Sequence, residues 1–575
     1  MVNMVINGKK ASVPEGTTIL NAAKSVGVEI PTLCYLKDVC EAGACRMCVV
    51  EIEGDQRLSA SCNIEAQEGM AVLTHSARAL AARQTNLQLL LSNHNVECTT
   101  CVRNATCKLQ KLSAELNIQN EPYVKKFRQT DWPEDYPLIR DASKCVKCMR
   151  CMKLCEKVQA LGIWDISGSA AHLTINVNNG QKIKESKCAL CGQCIVNCPV
   201  GALRALDDTD KVIQAIHDPE KIVIMQIAPA IRTAWAEEFG LDREDATPGK
   251  IVAAARALGV DYVFDTVFAA DLTIMEEGSE LLQRLGSKEK YKWPMFTSCC
   301  PGWVRYLKGQ YPELIENLST AKSPQQMFGA VIKTWFAHRA GIDAGKIVVV
   351  SIMPCVAKKH ECALPDMNDA KHGQDVDIVI TNREFAKLIR NFNVKVDKLK
   401  DEPFDDLLGE GTGAGIIFGA TGGVMEAALR SAYYLVTGKN PAADAFSAVR
   451  ANSGAREAAV EINGIPVRAA IASGLGNAKE IIEKIKSGKA QYDFVEIMAC
   501  PGGCSGGGGQ PIEDGAVLAP DRNAVLYDLD KKSGCRFSHE NPAVAKAYEE
   551  FFEKPLSHKS HELLHSDHNA WKMPI

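Results

Sequence analysis

Residues 296–303 read FTSCCPGW and set two cysteines side by side, Cys299 and Cys300. Neighbours on an extended segment point to opposite faces, so one metal ion rarely takes both. A disulfide between them would be strained. The two sulfurs are therefore expected to do different work. Two more cysteine motifs follow, MPCVAKKHE at 353–361 and EIMACPGGCSGGGGQP at 496–511. Cys300, Cys355, Cys500 and Cys504 can converge from three loops as a four-thiolate site. The SGGGG run lacks the Lys-Ser/Thr of a phosphate loop, and its glycines are read as letting backbone approach a bulky inorganic ligand. GEGTGA at 409–414 loosely fits a dinucleotide fingerprint but precedes an expected strand instead of following one, and is discounted.

Upstream, fifteen cysteines and one histidine fall into four runs. The first is Cys34-x10-Cys45-x2-Cys48-x13-Cys62. Three thiolates around one loop with a distant fourth is the logic of a plant-type [2Fe–2S] site, with a longer first gap. Zinc is the competing reading, since thiolates suit it too. Cys40 lies inside the loop and out of pattern, a spare. The second run is His94-x3-Cys98-x2-Cys101-x5-Cys107, the spacing of a [4Fe–4S] site with one histidine; a neutral imidazole in place of a thiolate should raise its potential. A helix cap or a surface residue is the plain reading of that histidine. The last two runs are Cys145-x2-Cys148-x2-Cys151-x3-Cys155 and Cys188-x2-Cys191-x2-Cys194-x3-Cys198-Pro199. In this two-cluster ferredoxin pattern each fourth cysteine crosses to the other cluster. One [4Fe–4S] should take Cys145, Cys148, Cys151 and Cys198, and the other Cys188, Cys191, Cys194 and Cys155. Only the first of these runs lacks the closing proline. Four such centres in series form a wire that must end where electrons are used.

The elements that position these residues divide the chain into four. Residues 1–78 open with the alternating MVINGKKASV, an Asn7-Gly8 hairpin signal, and a helix-like TTILNAAKSVG with Thr17 or Thr18 as cap and Gly27 as stop. Residues 79–125 read mostly helical, and 126–209 begin with the loop-like QTDWPEDYP and carry the ferredoxin runs. From 210 to 575 apolar runs (KIVIMQIAP, KIVVVSIMP, VDIVIT, GAGIIFGA, YDFVEIMA) alternate with amphipathic helices such as PGKIVAAARALG. That alternation predicts an α/β domain with partly parallel sheets and chemistry at strand ends. The whole is an α+β multidomain chain. The His-rich tail SHKSHELLHSDHNAW is expected to be solvated or to make a few partner contacts. Composition excludes other classes: 46% apolar, 24% charged and a formal charge of −4, with no basic block for nucleic acid. There is no signal peptide and no transmembrane run, so the 23 cysteines point to a reduced, cytoplasmic, metal-holding protein rather than a secreted disulfide framework.

The N-terminal runs resemble the cluster domains of the large iron–sulfur subunit of respiratory complex I, starting with a β-grasp [2Fe–2S] domain. The three C-terminal motifs resemble the signatures of [FeFe]-hydrogenases, and with the upstream runs the resemblance covers nearly the whole chain. It implies reversible conversion of H2 into two protons and two electrons at an H-cluster, a [4Fe–4S] cube joined through one thiolate to a two-iron unit carrying CO, cyanide and an azadithiolate bridge. Maturation proteins would build that unit. By motif position the resemblance gives Cys300, Cys355, Cys500 and Cys504 to the cube, with Cys504 bridging. Cys299 would pass protons to the bridging amine, backed by a relay of Glu277, Ser319 and Glu280 ending near Arg284. A surface ion pair at i,i+4 is the plain reading of Glu280 and Arg284. Ala228, Pro229, Ala230, Gln325, Lys358 and Phe418 would contact the diatomic ligands, and Met353 and Met498 would pack soft side chains against the cluster. Ala230 stands where some relatives have serine, and Pro501 where some have histidine. Cys362 and Cys535 match nothing and are read as structural. An assembly-type relative, a sensory hydrogenase and a complex I-like electron carrier are the alternatives; Cys299, Lys358, Glu277 and Glu280 weigh against the first two, and the C-terminal motifs against the third. The implied partners are ferredoxin and, from Pro501, a flavin- and NAD(P)-binding subunit docking on the N-terminal cluster domains.

Overall fold

The computed structural model describes residues 1–575 except 126, 128, 170, 171, 452, 453, 463 and 575; the expected boundary at 126 falls on one of these. It divides into two compact units. The first holds Met1–Ser186, Gln193–Arg204 and Glu513–Ala516, and the second Lys187–Gly192, Ala205–Ile512 and Val517–Ile575. Local bonds explain the exchanged segments. The Cys188 carbonyl accepts Arg305 Nε at 3.0 Å within the second unit, and Asp514 pairs with the buried Arg150 at 2.6 Å within the first.

In the first unit the strands Val2–Ile6 and Lys9–Val13 turn on Asn7 and Gly8, both at positive φ (49° and 80°). That is the conformation for which Asn-Gly is favoured. The helix Ile19–Ser25 starts where the Thr18 hydroxyl accepts the Asn21 N–H, and Gly27 follows its last turn at φ 70°. Its buried Ile19, Leu20, Ala22 and Ala23 pack on Met4, Ile6 and Val50. The sheet has five strands, ordered Lys9–Val13, Val2–Ile6, Ala71–Leu73, Val49–Ile52, Leu58–Ala60. Val2–Ile6 runs parallel to Ala71–Leu73, which makes this small α+β unit's sheet mixed. The helix Ala77–Ser92, capped by Ser76, ends just before His94.

The second unit carries two four-stranded sheets. One orders Tyr262–Asp265, Ile222–Ile227, Ile347–Met353 and Ile378–Thr381, all parallel. The other orders Met295–Phe296, Phe494–Met498, Ile465–Ser473 and Gly454–Ile462, with only the last pair antiparallel. The parallel strands are β-branched and apolar runs that are mostly buried, as parallel sheets require, while the antiparallel edge strand Gly454–Ile462 is largely exposed. Four of the five expected strand runs are strands. GAGIIFGA is not: it forms the helix Gly413–Ile416 and the 3-10 turn Ile417–Gly419. Thr412 caps this helix and bonds Asp271, and a Cβ on Gly411 or Gly415 would collide with Val267. The glycines thus serve close packing onto the long helix Val267–Gly286, which periodicity does not reveal.

The tail also departs from expectation. The helix His558–Leu564 buries Leu563 and Leu564. His565 Nε2 lies 3.1 Å from Glu276 and its Nδ1 2.8 Å from Thr320 Oγ1, while His568 Nε2 lies 2.7 Å from the Ser319 carbonyl. These histidines satisfy buried polar groups instead of facing solvent. No helix among the described residues is long and apolar enough to cross a membrane.

Candidate active site and cluster sites

Chain direction places the C-terminal ends of the parallel strands together, where ligands of open α/β sheets gather. Ile222–Ile227 runs into Ala228-Pro229-Ala230, Ile347–Met353 into Pro354-Cys355, Met295–Phe296 into Cys299-Cys300, and Phe494–Met498 into Cys500. Around these ends is a cavity of about 80 Å³. Ala228, Pro229, Ala230, Cys299, Cys300, Gln325, Met353, Cys355, Lys358, Phe418, Met498 and Cys504 all line it. Pro301 and Pro354, inside the cysteine motifs but not singled out, line it too, as do Thr266, Ala270 and Pro324, which no motif marked. Cys500, the fourth expected ligand, lies beside the other three thiols but turns its Sγ toward the Cys191 carbonyl, 3.5 Å away. The donor set suits a cube with a two-iron extension: soft thiols on one side, an apolar wall, and one ammonium.

The Gly-rich run also packs the chain against itself. A Cβ on Gly506 would collide with the Pro501 carbonyl, on Gly507 with the Pro354 carbonyl, and on Gly508 it would sit 2.6 Å from Gly192 Cα. These glycines let three backbone segments approach one another, and so bring the cysteines of separate loops together.

The adjacent cysteines separate as their alternation requires. Cys300 Sγ accepts the Ala499 N–H at 3.4 Å and begins the helix Pro301–Gln310. Cys299 is buried, and that burial, with the nearby Glu277, raises its thiol pKa well above normal. It is a neutral S–H near pH 7. Glu277 is fully buried, and neither carboxyl oxygen makes a hydrogen bond of ordinary length. Burial first, and the Glu280 charge second, raise it to about 8; the Ser319 hydroxyl and Ser298 amide offset part of this. The Ser319 hydroxyl donates to Glu280 Oε2 at 2.8 Å, and the other Glu280 oxygen pairs with Arg284. Glu280 and Arg284 are only 7% and 3% exposed, so the surface ion-pair reading fails. Lys358 Nζ donates to the Cys299 carbonyl (3.1 Å) and to Glu361 (2.9 Å). Burial works against its ammonium, but Glu361 and the neighbouring thiols outweigh it and raise the pKa.

In the first unit Cys34 hydrogen-bonds Cys45, and Cys48 hydrogen-bonds Cys62. Cys40, outside both pairs, donates to the Cys148 carbonyl at 3.6 Å. His94, Cys98, Cys101 and Cys107 line one cavity. His94 Nδ1 lies 2.9 Å from the Lys144 carbonyl. A carbonyl only accepts, so Nδ1 carries the proton and Nε2 keeps its lone pair; burial lowers the ring's pKa and keeps it neutral. Cys145, Cys148, Cys151 and Cys198 line another cavity, the crossed set read from spacing. Cys155 and Cys194 belong to the first unit and Cys188 and Cys191 to the second. Cys362 and Cys535 donate to the nearby carbonyls of Lys359 and Phe537, as structural cysteines do.

Comparison with known proteins gives consistent identities along the chain. Residues 221–508 match the C-terminal domain of the iron-only hydrogenase large subunit, and 518–571 the iron hydrogenase small subunit. Residues 1–77 match a 2Fe-2S iron-sulfur cluster binding domain, 83–122 the NADH-ubiquinone oxidoreductase-G iron-sulfur binding region, and 144–202 a 4Fe-4S dicluster domain. The chain is 46% identical to the NADP-reducing hydrogenase subunit HndD of Solidesulfovibrio fructosivorans, over 98% of both chains. Against iron hydrogenase 1 of Clostridium pasteurianum it is 38% identical, over 98% of this chain and 99% of that one. It is 30% identical to cytosolic iron-sulfur assembly component 3 of Mus musculus over 68% of its length and 85% of that protein's. Among solved structures, the apo [FeFe]-hydrogenase HydA1 of Chlamydomonas reinhardtii superposes with a TM-score of 0.57 at 40% identity, covering 64% of this chain and all of that one. With a pocket of converging thiols, an accessory-cluster region ahead of it, and a relative matched from end to end, this chain belongs to the iron-only hydrogenase family.

Proposed function

We infer that this chain is a catalytic subunit that interconverts H2 with two protons and two electrons. The carrying observation is one cavity in which the Cys300, Cys355 and Cys504 thiols face Cys299 and Lys358. In this reading Cys300, Cys355, Cys500 and Cys504 hold the cube of the H-cluster, and the wall of Ala228, Pro229, Ala230, Gln325, Met353, Phe418 and Met498 surrounds the two-iron unit. Bound there, that unit supplies an open iron position and a bridging amine between which H2 is split. The chain's own residues do the rest. The apolar wall keeps water out, and Lys358 offers a fixed cation to a cyanide nitrogen. Ala230 brings no hydroxyl, so its second-position N–H in the turn Pro229–Thr233, unused within the turn, is the available donor. Cys299 holds a proton on sulfur at the pocket wall. Glu277, buried and with its pKa raised to about 8, carries protons between Cys299 and Ser319, and Glu280 with Arg284 continues the route.

By their spacing Cys155, Cys188, Cys191 and Cys194 would hold a [4Fe–4S] cluster that exchanges electrons with the cube, and Cys500 lies 3.5 Å from the Cys191 carbonyl. From there the cluster of Cys145, Cys148, Cys151 and Cys198, the His94-ligated [4Fe–4S] and the [2Fe–2S] of Cys34, Cys45, Cys48 and Cys62 extend the wire. The enzyme reading outranks an assembly-type one because Cys299, Lys358 and the buried carboxylates are all present, and because identity is 46% to a hydrogenase subunit against 30% to an assembly component. Infrared spectra of the matured chain are the test: CO and cyanide stretching bands together with H2 turnover support it, and maturation without either rejects it.

The relative at 46% identity is named as a subunit of an NADP-reducing hydrogenase. With Pro501 between the paired cysteines, this favours a cytoplasmic hetero-oligomer in which a flavin- and NAD(P)-binding subunit docks on the N-terminal cluster domains, with ferredoxin as the other carrier. Gentle anaerobic purification from the native cell should recover that subunit. A lone chain evolving H2 fast from reduced ferredoxin would reject the arrangement.

A further inference from the structure

Glu361 stands six residues beyond Cys355 and three beyond Lys358, at the end of the short helix Ala357–Glu361. It is 5% exposed and takes no place in the proton relay. Its Oε2 accepts three bonds: from Lys358 Nζ at 2.9 Å, from Ser323 Oγ at 3.0 Å and from Gln325 Nε2 at 3.2 Å. Two of these donors, Lys358 and Gln325, line the catalytic cavity; Glu361 does not. It lines instead a second cavity of about 30 Å³ behind them, with Ser298, Lys322, Ser323 and His568. The Lys358 ammonium, already fixed by the Cys299 carbonyl, thus has one carboxylate partner on the side away from the pocket.

A long flexible ammonium serves as a directed donor only when its other protons are held, and a buried charge stays in place only when it is paired. Gln325 is held twice: its Nε2 by Glu361 and the Lys358 carbonyl, its Oε1 by Ser351 Oγ at 3.1 Å. One carboxylate therefore sets the direction of both polar groups on this wall.

We propose that Glu361 is a positioning residue of the catalytic pocket, holding Gln325 in place as part of the wall and clamping Lys358 so that its remaining ammonium proton is a fixed donor to the two-iron unit. It acts through Lys358 and Gln325 and touches no reacting atom. This rests on the pocket reading under Proposed function.

The test uses the full chain carrying its [4Fe–4S] clusters but not matured, supplied with a synthetic two-iron complex bearing CO, cyanide and an azadithiolate bridge. Uptake rate and cyanide band positions are followed by infrared spectroscopy, with iron content and accessory-cluster spectra as a check on folding. Glu361→Gln should keep its iron, take up the complex about tenfold or more slowly, and show shifted or split cyanide bands; Glu361→Asp should restore part of both. Adding Glu361→Met to Lys358→Met should change the rate by less than about twofold beyond Lys358→Met alone, since coupled residues are not additive. If Glu361→Gln loses iron, this double variant decides, because it removes both buried charges together. Wild-type uptake and bands in Glu361→Gln, or full additivity in the double variant, overturn the proposal. No uptake by the wild-type chain overturns the pocket reading itself, and this inference with it.

Discussion

The two units hold their cysteines in opposite ways. In the first, the proposed ligands of each site fall mostly in one short stretch, as at 94–107, with a more distant fourth cysteine at 62 for the 34–48 loop and at 198 for the run at 145. Small sheets and single helices suffice to hold such loops. In the second, the four proposed ligands come from three loops separated by 55 and 145 residues, between Cys300 and Cys355 and between Cys355 and Cys500. Two parallel sheets and a set of close-packed glycines are needed to bring them together. The charged groups differ accordingly. Around the catalytic pocket Glu277, Glu280, Arg284, Lys358 and Glu361 are all buried, whereas the cavity of Cys145, Cys148, Cys151 and Cys198 is lined otherwise by apolar side chains and one buried arginine, Arg140. Storing electrons takes ligands; moving protons to a buried metal takes charges held out of water at a cost that only a large core sustains.

The sharpest contrast is between the opening pair of cysteines. Cys300→Ala should remove the cube and all H2 turnover, with about four irons lost per chain and the accessory clusters still visible by electron paramagnetic resonance. Cys299→Ala should keep the iron and lose roughly 10²–10⁴-fold in turnover, the range of one general acid–base group. Equal iron loss in the two variants would erase the distinction.

Glu277 gives the comparison a pH axis. Its folded pKa of about 8 exceeds the unfolded value of about 4.3. The neutral form is therefore favoured by the fold, and stability associated with it is complete below about pH 4.3 and lost as pH rises to about 8. Glu277→Gln keeps a neutral side chain at every pH. Its stability relative to wild type should grow by about 1.4 kcal/mol per pH unit across that window, measured by chemical denaturation, while turnover falls by about 10²-fold or more. A flat difference would mean that Glu277 titrates normally and is no relay carboxyl.

In the first unit the expected effects are structural or thermodynamic. Asp514→Asn leaves the buried Arg150 without its carboxylate and should cost about 3–5 kcal/mol in the unfolding of the cluster region. Turnover with a dye that reduces the catalytic unit directly should be unchanged. His94→Cys should give the smallest functional change: a lower midpoint potential for one cluster, read by redox titration, with dye-linked turnover within about twofold of wild type. A drop in dye-linked turnover as large as that of Cys299→Ala would tie the two regions together more closely than their architecture implies.

What the sequence determined by itself was whatever is local. Ligand spacing within loops, the Asn7-Gly8 turn, the Thr18 cap and four of the five buried strand runs were legible, because each depends on residues a few positions apart. The pocket residues were named only through resemblance to a known family. Tertiary structure decided the rest. It made Glu280–Arg284 a buried pair, although i,i+4 spacing is equally that of a surface one. It turned GAGIIFGA into a packed helix by setting its glycines against Val267. It folded the His-rich tail onto Glu276, Thr320 and Ser319. And it placed Glu361 behind Lys358 with Ser323 and Gln325 as further donors, a convergence that no spacing rule contains. The reason is common to all four: whether a polar side chain is solvated, paired or buried depends on what packs against it from distant parts of the chain, and that partner is chosen by the fold.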